Sequence, residues 1–249
     1  MRLGRALLAA GVIAAGVRVA RSRTRRFLHP DGRSFTGELE VWGLGTPTGA
    51  ALLDRPGRHP VTLRISKGAG TPPTYPDVLG VAIRVHGPVA GHRTDLLFST
   101  AGRGRWLRHI PVPRRSFDSL YGTICPYRTG ADAKIHLSLL PDLDGRALGR
   151  TLESVTAASA DDGARLMLGA ADGAGGTRLV GRVRFGRVLP AAADAALAFD
   201  PVRNVRADLH PTGLIHGSRA FAYRVGQRWR GARPAAPNPA AATRTNTHR

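Results

Sequence analysis

The chain has little cysteine and few aromatic residues for its length. One cysteine, Cys125, occurs among 249 residues, which excludes an internal disulfide and a cysteine-based metal site. Cys125 stands between an isoleucine and a proline in YGTICPYRTG, and this setting favours a small buried side chain over a nucleophile. The length and the ordinary apolar content predict one globular domain with terminal tails.

Acidic residues are scarce, since 17 Asp and Glu oppose 37 Lys and Arg and give a net charge of +20. The only lysines are Lys67 and Lys134, and the arginines are spread along the whole chain. No zinc-finger spacing, aromatic RNA-binding motif or basic zipper accompanies them, so no nucleic-acid partner is expected, although binding through charge alone remains an alternative. A compositional bias or the recognition of anionic groups such as carboxylates accounts for the charge instead.

The sequence also lacks a long hydrophobic run. The apolar stretch 6–17 is too short for a comfortable membrane span, and the basic flank RVARSRTRR suits the cytoplasmic side. Residues 1–23 are therefore read as a packed helix, a membrane anchor or a cleaved signal, and these alternatives stay open. We expect a cytoplasmic protein, with membrane association through residues 1–23 as one alternative.

Apolar residues alternate with polar ones along most of the chain. SFTGELEVWG, HPVTLRISKG, LGVAIRVHG, AKIHLSLLP and TRLVGRVRFGRVLP all show this period of two, which predicts antiparallel strands. The stretch RALGRTLESVTAASADDGARLML has helical spacing instead and predicts one or two helices. Residues 231–249 lack apolar periodicity and are predicted to be a disordered tail. Together these patterns predict one α+β domain over residues 24–230, with a mainly antiparallel sheet.

The segment GSRAFAY places an arginine one helical turn before a tyrosine. On a helix over 214–230, Arg219, Tyr223 and Arg230 share one face, and Gly226 leaves that face open to a flat ligand. A neighbouring guanidinium favours the tyrosine phenolate, and a bound ferric ion favours it further. Tyrosine is a known haem-iron ligand, so the spacing has a chemical use if haem b is bound.

Two ends of the chain resemble the haem catalase family. Near the C-terminus, RAFAY is similar to the family's proximal segment, and LAFDP is similar to the stretch that leads into it. Near the N-terminus, RFLHPDGRSFTGELEV is similar to the segment with the distal histidine, and LRISKGAG is similar to the family's R-F-S-T segment. The resemblance implies a catalase-like β-barrel with added helices and a C-terminal helix carrying the haem ligand. It covers roughly residues 24–100 and 178–230.

The resemblance also implies roles for particular residues. Tyr223 would be the axial ligand of haem b, with Arg219 beside it, and His29 would be the distal acid–base group oriented by Ser66. Three arginines would meet the haem propionates: Arg26, Arg64 and Arg230.

One departure concerns the asparagine that the family pairs with the distal histidine. The family's D-L-V-G-N-N aligns with DLLFST, so Ser99 or Thr100 is expected to replace the asparagine, and Phe98 replaces a glycine and is expected to crowd the pocket. A hydroxyl is shorter than an amide and offers one donor, so it holds a peroxide less well. We therefore expect peroxidase-type chemistry on organic hydroperoxides rather than efficient disproportionation of hydrogen peroxide.

Two other functions remain open. A haem carrier or sensor without turnover would use the same proximal residues. A metal-dependent phosphodiester hydrolase or other anion-handling protein would need a cluster drawn from His59, His86, His92, His109, Asp77 and Asp95, which show no metal-ligand spacing. A monomer or small homo-oligomer is expected in each case.

Overall fold

The computed structural model describes residues 29–89, 91–102, 104–171 and 176–212. The predicted N-terminal segment 1–23, the helix over 214–230 and the tail 231–249 lie outside these residues. Within the described ranges, no helix is long and apolar enough to cross a membrane.

Strands make up most of the described chain. They are β1 (Asp31–Val41), β2 (Gly57–Lys67), β3 (Leu79–His86), β4 (Arg93–Thr100), β5 (Tyr121–Gly122), β6 (Tyr127–Thr129), β7 (Lys134–Pro141), β8 (Arg165–Ala171), β9 (Arg178–Val188) and β10 (Leu209–Pro211). The helices are short: α1 (Ala51–Asp54), α2 (Gly104–Leu107), α3 (Leu152–Ala158) and α4 (Ala191–Ala196), with a 3₁₀ turn at Ala160–Asp162.

The described strands form a closed antiparallel barrel. Its hydrogen-bonded order is β1–β2–β3–β4–β5–β7–β8–β9, and β9 pairs with β1 to complete the ring. Strands β6 and β10 extend the sheet beside β7. Closure removes the exposed edges that an open sheet would leave, and it confirms the predicted antiparallel β-barrel with added helices.

Strand alternation separates an apolar interior from a more polar outer wall. Leu63 and Ile65 of β2 and Val81 and Ile83 of β3 are buried inside, as the period-two pattern predicted. Phe35 and Phe185 pack edge to face in the same core, with ring centroids 5.4 Å apart. Cys125 is buried, which confirms its reading as a filler.

The predicted helical stretch is only partly helical. α3 is capped at its N-terminus by Thr151, whose hydroxyl accepts from the Ser154 N–H while the Ser154 side chain accepts from the Thr151 N–H, a complete capping box. Residues 165–168, the end of that stretch, belong to strand β8 instead, so the helical reading was wrong there. Leu166 and Leu168 alternate into the barrel core, and β8 pairs with β7 and β9.

A segment after α4 crosses the outer wall of β3 and β4. Asp95 is fully buried on that wall, accepts two hydrogen bonds of 2.8 Å from Arg84, and accepts from the Asp200 N–H and the Asn204 amide at 2.7 Å each. Arg84 also donates to the Ala198 carbonyl and lies 5.0 Å from the centroid of the Phe199 ring. This charged network fixes residues 198–204 to the barrel.

Candidate functional site

His29 stands immediately before β1 in a left-handed backbone conformation, with φ of 58°. Few residues with a side chain adopt this conformation without support. Here the His29 N–H donates to the Gly68 carbonyl at 3.1 Å, and the His29 carbonyl accepts from the Arg64 guanidinium at 3.2 Å. These two bonds direct the imidazole over the outer wall of β3.

Ser66 holds the imidazole of His29. The Ser66 hydroxyl lies 3.0 Å from Nδ1 of His29 and 3.4 Å from the carbonyl of Gly80. If the hydroxyl donates to that carbonyl, it accepts from Nδ1–H, and the lone pair of the neutral ring then lies on Nε2. The Ser66 hydroxyl thus fixes the orientation of the imidazole.

Gly80 supports the face of the His29 ring. A Cβ at this position would lie 2.7 Å from Nδ1 of His29 and closer still to Cε1, so even alanine would displace the ring. Sequence reasoning missed this residue. The signal was available, because Gly80 takes an outward position in a strand whose inward positions are all large and apolar.

Ser99 lies on the same wall as His29. Gly80 pairs with Ser66 on one side and with Ser99 on the other, and directly paired residues project to the same face of a sheet. Ser99 is therefore the hydroxyl of β4 that shares the wall with the His29 ring.

Thr100 and Phe98 project to the opposite side, and this corrects two expectations. Thr100 is fully buried in the barrel, donates to the Val112 carbonyl at 2.7 Å and accepts from the Leu79 N–H at 3.1 Å. Phe98 pairs with the interior residue Val81 and is buried in the core. Since side chains alternate along a strand, neither residue faces His29. Thr100 is not the substitute for asparagine, and Phe98 does not crowd the wall.

Arg64 has an acidic partner that the sequence did not reveal. The guanidinium is only 4 % exposed, and its Nε donates to the Asp194 carboxylate of α4 at 3.1 Å. Asp194 also accepts from the Ser34 hydroxyl on β1. Alternation correctly placed Arg64 and Ser66 on one face, but the Arg64 charge is matched within the protein. This pairing disfavours the expected contact between Arg64 and a haem propionate.

The predicted proximal residues cannot be placed beside His29. Tyr223, Arg219, Arg26 and Arg230 all lie outside the described residues. The structure therefore brings together His29, Ser66 and Ser99, with Arg64 behind them, and leaves the axial ligand as a prediction.

The residues considered for a hydrolase metal site are scattered. Among the described residues, no three histidine, cysteine or acidic side chains converge as metal ligands. Asp77 accepts from the backbone N–H groups of Ala69 and Thr71, and Asp95 is paired with Arg84. The His86 ring contacts the Thr62 hydroxyl at 2.9 Å.

Comparisons with known proteins bear on the barrel. No protein-family model matches the chain, and no curated protein matches it. Solved structures do match, beginning with a fungal catalase at a TM-score of 0.65 and 14 % identity, with coverage of 88 % of this chain and 62 % of that one. The fold is that of the catalases.

Two further catalase structures agree with this assignment of the fold. Catalase A from Saccharomyces cerevisiae gives a TM-score of 0.63 at 14 % identity, over 88 % of this chain and 64 % of its own. A bacterial catalase gives 0.62 at 15 % identity, over 87 % and 60 %. The chain thus spans less than two thirds of each catalase, and the likeness concerns the fold alone.

The residues of the wall beside His29 are compatible with a haem bound next to the imidazole. Gly80 lies beneath the ring, and Ala82, the next outward residue of β3, is also small, so β3 places no bulky side chain at the outward positions nearest the imidazole. One imidazole held by Ser66, with the hydroxyl of Ser99 nearby, is a donor set that can exchange a proton with a peroxide and hydrogen-bond to it. The fit does not extend to Arg64, whose charge Asp194 already neutralises.

Proposed function

We propose that this protein is a haem-b-dependent oxidoreductase that converts peroxides on a catalase-like barrel, with organic hydroperoxides as the favoured substrates. The observation that carries the proposal is the 3.0 Å contact of the Ser66 hydroxyl with Nδ1 of His29, above Gly80 on the outer wall. Such a histidine is oriented and backed by a hydroxyl, as a distal acid–base group must be.

His29 moves the proton in the proposed reaction. Its Nε2 accepts the proton from the near oxygen of the hydroperoxide and returns it to the departing oxygen, which leaves as an alcohol or water. Ser66 keeps the ring in place through both transfers because its hydroxyl can accept from Nδ1–H throughout. A haem held by this chain would supply the two electrons that heterolytic cleavage of the peroxide O–O bond consumes.

Tyr223, with Arg219 beside it, is proposed to hold the iron, and Arg26 and Arg230 are proposed to bind the propionates. Arg64 is left out of that set because its guanidinium is paired with Asp194 and the His29 carbonyl. Arg64 instead supports the backbone of the proposed catalytic histidine.

Ser99 is proposed to orient the substrate in place of the asparagine of catalases. It shares the outer wall with Gly80, but its single short donor holds a peroxide less firmly than an amide. Loss of a positioning donor in such a site costs about a hundredfold or more in rate. We therefore expect the protein to evolve oxygen slowly from hydrogen peroxide and to consume organic hydroperoxides faster.

The first prediction tests His29 in protein expressed with added haem precursor. His29→Ala should keep the Soret band but lose about a hundredfold or more of the hydroperoxide turnover, since only the acid–base group is removed. The matched control is His92→Ala, a histidine of the turn between β3 and β4, which should retain full turnover. Absorbance spectra and consumption of cumene hydroperoxide are the measurements.

Three results would count against the proposal. Absence of a Soret band would remove the haem assignment, and tight salt-sensitive DNA binding in its place would favour a nucleic-acid function. Full turnover in His29→Ala would place the chemistry on another residue. A bound haem without turnover in the wild type would identify a carrier or sensor.

Ser99→Asn should raise oxygen evolution from hydrogen peroxide, since the Phe98 side chain lies in the core and does not obstruct the wall.

A further inference from the structure

The loop between β4 and β5 has a fixed base. The Gly102 N–H donates to the Ile110 carbonyl at 3.2 Å, the Val112 N–H donates to the Thr100 carbonyl at 2.8 Å, and Ala101 forms a bridge with Pro111. Inside the loop, a Cβ on Gly102 would lie 2.8 Å from the Leu107 carbonyl, so α2 is folded closely onto the loop base. The described part of the loop is thus fixed to the barrel at its base.

Its tip presents large apolar side chains to solvent. Trp106 is 79 % exposed, Leu107 54 % and Ile110 52 %, and we call these three residues the apolar tip. Leu107 and Ile110 are joined by a turn, in which the Ile110 N–H donates to the Leu107 carbonyl at 3.0 Å. Grouped apolar side chains of this size on a surface indicate an interaction site rather than ordinary surface composition.

The surroundings of the apolar tip are basic. From residue 96 to residue 117 the sequence has five arginines and no Asp or Glu: Arg103, Arg105, Arg108, Arg114 and Arg115. Arg114 and Arg115 are exposed at the foot of the loop. Another exposed leucine, Leu143 at 96 %, has the opposite setting, because it stands between Asp142 and Asp144.

This combination matches the chemistry of an anionic phospholipid surface. Tryptophan prefers the boundary between headgroups and acyl chains, leucine and isoleucine gain from burial in the acyl region, and arginines are attracted to anionic headgroups. A protein partner of ordinary composition would not require the exclusion of acidic residues from residue 96 to residue 117, where the next acidic residue is Asp118. Charge complementarity therefore selects the bilayer over a second copy of this basic chain, which would be repelled.

We propose that the apolar tip docks the barrel on anionic membranes, with Trp106, Leu107 and Ile110 inserted among the lipids and the exposed Arg114 and Arg115 on the headgroups. The surface belongs to the described barrel and is separate from residues 1–23. It is also independent of the peroxide chemistry proposed for His29.

The test uses the full chain and sedimentation with vesicles of phosphatidylglycerol and phosphatidylcholine. The Trp106→Ser/Leu107→Ser/Ile110→Ser variant should lose about tenfold or more of its vesicle affinity, since each apolar side chain contributes when buried. Leu143→Ser is the matched control and should bind like the wild type. Arg114→Glu/Arg115→Glu should weaken binding to the anionic vesicles, and higher salt should do the same.

Insertion is measured separately through fluorescence. In a Trp42→Phe/Trp229→Phe background the only tryptophan left is Trp106, and lipids brominated on the acyl chains should quench its emission. Binding without that quenching, or equal binding by the serine variant, would overturn the proposal and assign membrane attachment to another segment. No binding to anionic vesicles would overturn it as well. Concentration-dependent dimerisation that the serine variant abolishes would show that the apolar tip joins two copies instead.

Discussion

At the scale of single residues, the candidate site depends on how small its neighbours are. The His29 ring is held from the side by Ser66 and from below by Gly80, and its backbone carbonyl is held by Arg64. Asp194 balances the Arg64 charge, which allows the guanidinium to be buried behind the histidine. The polar residues of this wall thus orient one imidazole.

Gly80 gives a prediction with a close control. Gly80→Ala should push the His29 ring from its place and lower hydroperoxide turnover about tenfold to a hundredfold, with haem still bound, because a misplaced reacting group costs rate steeply. Gly122→Ala should be tolerated, since its Cβ would lie 3.5 Å from the nearest atom, the Ala101 Cβ. Steady-state turnover and circular dichroism of both variants are the measurements. Equal effects of the two substitutions would show that the ring does not rest on Gly80.

At the scale of elements, Asp95 fixes the segment 198–204 to β3 and β4. Asp95→Ala should lower the free energy of unfolding by about 3–5 kcal/mol, because Arg84 would remain buried without its counter-charge. The control is Asp132→Asn, which breaks an exposed pair with Arg128, keeps a residue type that tolerates the left-handed backbone at this position, and should cost about 0–1 kcal/mol. Denaturant unfolding of the two variants is the measurement, and similar losses would mean that the buried network contributes little.

For some elements, the local alternation of apolar and polar residues was sufficient to predict a strand. Strands β1, β2 and β3 follow the alternation of Leu39, Leu63 and Ile83 with polar neighbours, because one face of each strand is buried in the barrel. β8 was not recognised, because the helical spacing of Leu148, Leu152 and Val155 just before it was extended to residue 168, although Leu166 and Leu168 alternate as in a strand. Its strand conformation comes from pairing with β7 and β9, which are distant in sequence from the helix α3 that precedes it.

At the scale of the whole molecule, acid is predicted to destabilise the barrel partly through His136 of β7. Burial lowers the pKa of His136 to about 4, while the hydrogen bond with the Thr123 carbonyl opposes this shift and Arg108 and His109 add to it. Between pH 4 and the usual histidine pKa of about 6.5, the unfolded chain binds more protons at this site than the folded one. Stability therefore rises with pH across this window and is lost as the pH falls through it.

The contribution of His136 is isolated by comparison with His136→Gln. The wild type should lose thermal stability between pH 7 and pH 4.5 more steeply than this variant, because glutamine does not titrate. Thermal melts at matched ionic strength are the measurement. Parallel curves for the two proteins would assign the acid sensitivity to other groups. His59 and His86, whose pKa values burial also lowers, are the candidates for the slope that remains in the variant.

The sequence by itself determined the positions of β1, β2 and β3 and the placement of Arg64 and Ser66 on one face, because alternation is a local property of the backbone. It also indicated that Cys125 is buried. It also singled out His29 by its resemblance to catalases. Only the tertiary structure decided that Ser99 faces the His29 wall while Thr100 and Phe98 face the core, since that depends on the register of β4 against β3. Likewise, Asp194 reaches Arg64 across 130 residues of sequence, a contact that the closed barrel creates and no local pattern records.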